Sequence, residues 1–280
     1  MKILTLNTHS LVEKNYQLKL KNFAEALKEE QPDIIALQEV NQTFTETVIT
    51  KPQGYVSCGG DIEIRSDNHA FNTVRLLSEI GEKYFWTWLP IKKGYGKYNE
   101  GIALMSRFPI TETDFFTVSK EDAPNDWRTR KILGIKTETI PDEWFFSVHY
   151  GWWDDTNDPF KAQWERTKRH LKGMGRVWLI GDFNAPAEVR GESYDHVKSS
   201  GFYDSYEFAE KKDRGITVDN IIDGWRGKKE CVGGMRIDHI WCSEKVGIKS
   251  SQVVFNGKNH PIVSDHYGVM AEYERSQDET

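Results

Sequence analysis

Short apolar runs of strand length, each ending in a residue able to do chemistry, constrain this chain more than any other feature. Residues 2–8 put Ile3, Thr5 and Asn7 on one side and Leu4, Leu6 and Thr8 on the other, which reads as a strand with Asn7 at its end. Residues 33–37 read as a buried strand with Gln38-Glu39 after it. Residues 144–148 lead into His149, and 177–180 lead through Gly181 into Asp182 and Asn184. Residues 236–241 carry Asp238, and the pair Asp265-His266 completes the set. Polar groups at the edge of an apolar core are costly unless they bind something.

Helical spacing separates some of these runs. Leu20, Phe23, Ala24 and Leu27 recur on one face until Gln31-Pro32 stops the helix. A second helix is predicted over 68–80 with Ser66 or Asp67 as N-cap and Gly81 as its stop, and a third over 160–171. Further strands are predicted at 101–105, 251–255 and 267–273, so the chain is of the α/β class and strand-rich after its first eighty residues.

The 280 residues show no composition shift, linker or repeat, so one domain over 1–273 with a disordered tail over 274–280 is the economical reading. A hydrophobic share of 38% that includes 10 Trp, 11 Tyr and 14 Phe excludes disorder. The net charge of -6 gives no global attraction to nucleic acid or to anionic lipid, which argues against both partners without excluding a local basic patch. Cys58, Cys231 and Cys242 lack metal-type spacing and read as buried or half-buried thiols. With no signal-like or membrane-length apolar run, a reducing cytoplasm is the expected location.

The donors at these strand ends are oxygens and imidazoles, not thiolates. That favours a hard cation, Mg2+ or Mn2+, over zinc, and Glu39 with Asn7 could hold it. Carboxylates, Asn and His also supply what hydrolysis of a phosphate ester needs: an activated water, a polarised phosphoryl oxygen and donors for developing charge. Glu39, His149 or Asp238 alone would be unremarkable. Gly181-Asp182-Phe183-Asn184 is sharper, because a strand flowing into a tight turn directs two polar side chains to one spot, and Ser264-Asp265-His266 pairs a carboxylate with an imidazole.

In order along the chain stand Leu6-Asn7-Thr8-His9, Leu37-Gln38-Glu39-Val40, Gly101 to Pro109, Ser147-Val148-His149, Gly181-Asp182-Phe183-Asn184, Arg236-Ile237-Asp238-His239-Ile240 and Ser264-Asp265-His266. This series resembles the endonuclease/exonuclease/phosphatase superfamily. The resemblance implies a DNase I-like four-layered α/β sandwich, two central β-sheets flanked by helices, and a metal-dependent phosphoesterase. It implies Glu39 and Asn7 as metal and phosphate ligands, with Asp265 supporting the metal side. Asp182 would activate water or protonate the leaving group, Asn184 would orient the phosphate, and His149 would contact phosphoryl oxygens. Asp238 would orient His266. His9, set among the substrate contacts, stands where some nuclease members carry an acidic residue, which puts a second metal site there in question.

The superfamily includes DNA nucleases, sphingomyelinases and sugar phosphatases, so the substrate must come from other residues. Arg128 and Arg130 are candidate phosphate grips, since a guanidinium binds phosphate bidentately. Trp152 and Trp153 follow His149 closely and would offer stacking faces to a sugar ring, unless both are core. The stretches 126–134, 145–155, 184–192 and 222–225 resemble bacterial maltose 6'-phosphate phosphatases, which implies a small phosphorylated sugar as substrate. A nuclease or sphingomyelinase-like phosphodiesterase is the rival reading, and a catalytically silent binding module is another.

Overall fold

The computed structural model describes residues 1–219, 222, 225 and 233–275. Asp223 and Gly224 of the 222–225 stretch, Cys231, and positions 276–280 of the expected tail lie outside the described residues. The first half of the chain gives β1 (Lys2–Asn7), α1 (Tyr16–Glu30), β2 (Ile34–Thr43), α2 (His69–Glu79), β3 (Phe85–Gly94), β4 (Tyr98–Ser106), β5 (Ile110–Thr117) and β6 (Lys131–Thr137). The second half gives β7 (Ile140–His149), α3 (Phe160–Leu171), β8 (Arg176–Asp182), α4 (Ser193–Ser199), β9 (Tyr203–Asp204), α5 (Ser205–Phe208), β10 (Ala209–Lys212), β11 (Asp238–Cys242), β12 (Ile248–Val254) and β13 (Gly268–Tyr273).

These strands form a seven-stranded sheet, in the order β10-β12-β13-β1-β2-β4-β3, and a six-stranded sheet, in the order β5-β6-β7-β8-β11-β9. Strand alternation decides which side chains go where. Ile3, Ala36 and Leu104 of the first sheet pack against Phe145, Trp178 and Ile180 of the second. Their neighbours Leu4, Leu6, Ile35 and Leu37 point the other way, onto Phe23 and Leu27 of α1 and Ala70, Val74 and Leu77 of α2. On the far face of the second sheet, Phe146, Val148 and Leu179 meet Phe160 and Trp164 of α3 and Val197 of α4. Each Ile, Leu, Val or Phe side chain among them contributes about 1.5–3 kcal/mol when fully buried. The result is the four-layered α/β sandwich expected from the sequence. No helix among the described residues is long and apolar enough to cross a membrane.

Helix α3 occupies the residues expected of it. Helix α2 starts later than expected: Asn68, not Ser66 or Asp67, is its N-cap and accepts the Phe71 N–H. The Asp67 carboxylate is committed elsewhere, to the backbone N–H of Thr43 at 3.1 Å. Strand β3 contains Pro90 yet belongs to the sheet because it lies at the edge, where a missing N–H leaves no ladder bond unmade.

Candidate active site

The second sheet lines up three of the chemical side chains by register alone. Strands β7 and β8 run parallel and end together, His149 beside Asp182, and antiparallel β11 begins there with Asp238 opposite Asp182. Gly181 makes the close approach possible: its φ is +152° and a Cβ there would lie 2.0 Å from the Val148 carbonyl and 2.9 Å from Gln38 Nε2. The facing sheet brings Asn7, at the end of β1, to the same rim. Glu39 corrects the sequence reading, because β2 does not end before it. The strand continues to Thr43, and Gln38-Glu39 form a bulge opposite Ile102 of β4, with Glu39 at φ 52°. The bulge re-aims one side chain without ending the strand. Asn184 also takes a left-handed φ, 46°.

Asp182 is the hub. Its Oδ2 accepts from Asn7 Nδ2 at 3.1 Å and lies 3.6 Å from His149 Nε2 and 4.0 Å from His266 Nε2. Its Oδ1 accepts the Asn184 backbone N–H at 2.8 Å. Burial, then the neighbouring Asp238, push its carboxyl up to about 7, against the pull of His266, Asn184 and Asn7. His266 shows the opposite balance. Burial disfavours its charge, but Asp238, 3.0 Å from Nδ1, and Asp182 outweigh it and hold the imidazolium up to about 10. His149 is neutral, driven well below the ordinary value by burial and by Arg130, Lys92 and His266. Oδ1 of Asp238 is buried with no hydrogen-bond partner among the described residues.

Glu39 is bound to the same amide, Asn7 Nδ2, at 3.1 Å. Burial and then Glu100 push its carboxyl up. Glu100 is buried and pairs with the half-buried Lys92 at 3.1 Å. Neither Lys92 nor Glu100 was singled out from sequence; the available signal was a charged residue directly before the apolar run that starts at Gly101. Arg130 is buried and its NH1 donates to the Trp127 carbonyl at 2.8 Å, while Lys92 Nζ donates to that same carbonyl at 3.3 Å. Burial lowers Arg130, and its Nε has no partner among the described residues. Arg128 is bonded to Asp155 at 3.0 Å and stacked on the Trp127 ring.

The remaining candidates divide between two places. His9 sits 2.9 Å from Glu13 and 3.9 Å from Asp265, a half-buried group on the Glu39 side of the rim rather than in the Asp182 cluster. Trp152 and Trp153, half-buried, line an open cleft with Asp154, Asn184, Pro186, Val189, Glu192 and Trp225. The Asn184 amide is fixed at the cleft's inner end, donating to the Tyr150 carbonyl at 2.9 Å and accepting the Trp225 indole N–H at 3.1 Å.

Comparison with known proteins settles the relationship. The model of the Endonuclease/Exonuclease/phosphatase family matches residues 4–266, a span that holds every residue of the cluster. The chain belongs to that family. Members of the family are hydrolases of phosphate esters, and the buried acidic and histidine cluster found here accords with their general dependence on divalent metal. A solved member from Leptotrichia buccalis is 32% identical with a TM-score of 0.85, over 98% of this chain and 100% of that one. A mannosyl-6-phosphatase from Bacteroides thetaiotaomicron shares the fold at 19% identity and a TM-score of 0.67, over 98% of this chain and 100% of that one. So does a 3' phosphatase from Neisseria, solved with a product DNA hairpin, at 21% identity and a TM-score of 0.63, with the same two coverages of 98% and 100%. A methionine–tRNA ligase of Cereibacter sphaeroides is 25% identical over 208 residues, 64% of this chain, and the chain spans only 36% of that protein's length.

Proposed function

We propose that the protein is a divalent-metal-dependent phosphomonoesterase that releases inorganic phosphate from a small sugar phosphate, with maltose 6'-phosphate as its substrate and magnesium, or manganese in its place, as its cation. One juxtaposition supports this reading above all: the buried Asp182 cluster adjoins, at Asn184, a short cleft walled by tryptophans. Such a cleft suits one ring-bearing alcohol better than a nucleic-acid strand, which needs a basic track. The buried, free thiols of Cys58 and Cys242 agree with a cytoplasmic enzyme.

Asn7 and Glu39 would hold the cation, with Asp265 supporting it from the His9 side. The residues fit: the donors are oxygens, and the Glu39 carboxyl is pushed up by burial and by Glu100 beside it, which a cation there would relieve. Here Asn7 turns Nδ2 toward both carboxylates, and the amide turned over would offer Oδ1. Bound there, the cation would polarise the phosphoryl group and stabilise its developing negative charge.

The side chains divide the remaining work. Asp182, held near neutrality, can take a proton from the attacking water and return one to the leaving sugar oxygen. His266 is charged, and Asp238 on its Nδ1 fixes the ring so that Nε2 faces the Asp182 side, ready to donate to a phosphoryl oxygen. Neutral His149 offers one N–H at the opposite flank, and Arg130 adds positive charge behind it. Asn184 holds the substrate phosphate between cluster and cleft.

A phosphate-release screen with magnesium, across phosphosugars, nucleotides, inositol phosphates and plasmid DNA, tests this reading. Maltose 6'-phosphate should lead it, and DNA cleavage at a rival rate would move the protein to the nuclease side of its family.

A further inference from the structure

The stretch Arg236-Ile237-Asp238-His239-Ile240 gives the cluster its Asp238 and leaves two further chemical side chains, Arg236 and His239, without a task. Both are buried. Nε2 of His239 lies 2.8 Å from the Ala185 carbonyl, which can only accept, and Nδ1 lies 2.9 Å from NH1 of Arg236, which can only donate. One tautomer satisfies both partners: the proton sits on Nε2 and the ring is neutral. Burial and then the Arg236 guanidinium push the imidazole down to about 3, in keeping with that state. Arg236 is fixed in turn by Asp204 at 2.8 Å and by the Tyr194 hydroxyl at 3.2 Å, and that hydroxyl donates to Asp204 at 2.7 Å. A connected set of partners from α4 and β9 therefore ends on one backbone carbonyl. That carbonyl belongs to the residue after Asn184. Asn184 has a left-handed backbone, φ 46°, which a residue other than glycine keeps only where its surroundings hold it. Its N–H donates to Asp182 Oδ1 at 2.8 Å, and its side chain lines the cleft beside the cluster, so a shift of this turn would move both.

We infer that His239 is a positioning residue, held in one tautomer by Arg236, Tyr194 and Asp204, that fixes the Asn184-Ala185 turn and through it sets where Asn184 meets the substrate phosphate. The inference rests on the phosphomonoesterase reading above, in which Asn184 holds that phosphate. It gives the buried Arg236 network a part in the reaction, although none of its members touches the reacting atoms.

The test uses the full-length protein with magnesium, as wild type, His239→Leu, His239→Gln, Asn184→Ala and the double variant His239→Leu with Asn184→Ala. kcat/KM is measured for maltose 6'-phosphate and p-nitrophenyl phosphate, well below the melting temperature of every variant. His239→Leu keeps the bulk and loses both nitrogens, and should lower kcat/KM by about 10^2 on both esters. His239→Gln, whose amide offers one donor and one acceptor, should recover to within about tenfold of wild type. Because His239 acts through Asn184, the double variant should be little worse than Asn184→Ala alone. Should His239→Leu not fold, His239→Asn takes its place with the same expectations, since it keeps an acceptor near the Nδ1 position and nothing at Nε2. Unchanged activity without the Nε2 donor would overturn the inference. A glutamine variant no better than leucine, or additive losses in the double variant, would do so too and leave His239 a packing residue. A wild type inert toward both esters would instead bring down the phosphomonoesterase reading, and the inference with it.

Discussion

Asp182, Asp238 and His266 form one group whose ligand-type atoms lie within 4.8 Å of one another, and His9, Glu13 and Asp265 form another. The residue types are nearly the same; the surroundings are not. The first group is fully buried, and the second is half-buried at the rim. In the second, Lys19 pairs with Glu13, and His9, held up to about 9 by Glu13 and Asp265 against its burial, is itself a cation. Its charges are matched by ordinary, partly solvated ion pairs. In the first, burial and Asp238 lift Asp182 to about 7, and one oxygen of Asp238 has no partner among the described residues. Desolvation, not composition, separates a group poised for proton transfer from a surface ion-pair network.

The largest expected effect tests that difference at Asp182. Asp182→Asn should lower kcat by about 10^4 while KM moves far less, since a proton-transfer group acts mainly in the transition state. A change confined to KM would make Asp182 a binding residue. The wild type should also follow the titration of that carboxyl. As a base it acts only when ionised, so kcat/KM should fall as the pH drops through about 7. The stability sign is the reverse. A folded-state value raised above the ordinary 3.8 means that ionisation costs stability as pH rises between the two. In chelator at pH 8, Asp182→Asn should therefore melt higher than wild type, by about 2–4 °C per kcal/mol recovered.

Glu39→Gln comes next. Removing the charged oxygen from the bulge should cost about 10^2–10^3 in kcat/KM and raise the magnesium concentration needed for half-maximal activity. Chelation should silence the wild type reversibly. Normal activity at unchanged magnesium dependence would place the cation elsewhere, with the His9 group as the first alternative. Asp238→Asn should cost about 10^2 by misorienting His266, and the double change with His266→Ala should cost little more than His266→Ala alone. Additive losses would separate the two residues.

The layers of the fold and most of the rim could be read from the sequence because strand alternation and apolar run length are local signals. Asn7, His149 and Asp182 each end a strand that the sequence predicts. Glu39 was read as a strand end because a bulge has no local signature; its left-handed backbone comes from pairing with β4, a partner far along the chain. Pro90 and the two lysines after it hid β3, and with it Lys92, whose burial exists only once Glu100 is opposite. The Asp126 to Arg130 segment showed two arginines as equals. The fold separates them, burying Arg130 and committing Arg128 to Asp155, because loop conformation is set by tertiary contacts that sequence spacing does not encode.

The smallest effect belongs to the rim group, and set beside Asp182 it gives the most direct test. Phosphate release from maltose 6'-phosphate should be measured in parallel, at saturating magnesium, for wild type, Asp182→Asn and Glu13→Gln. Glu13→Gln should stay within about fivefold of wild type, the scale of a partly exposed ion pair, while Asp182→Asn falls by about 10^4. Comparable losses in both variants, or the larger loss at Glu13, would contradict the assignment of the chemistry to the buried group.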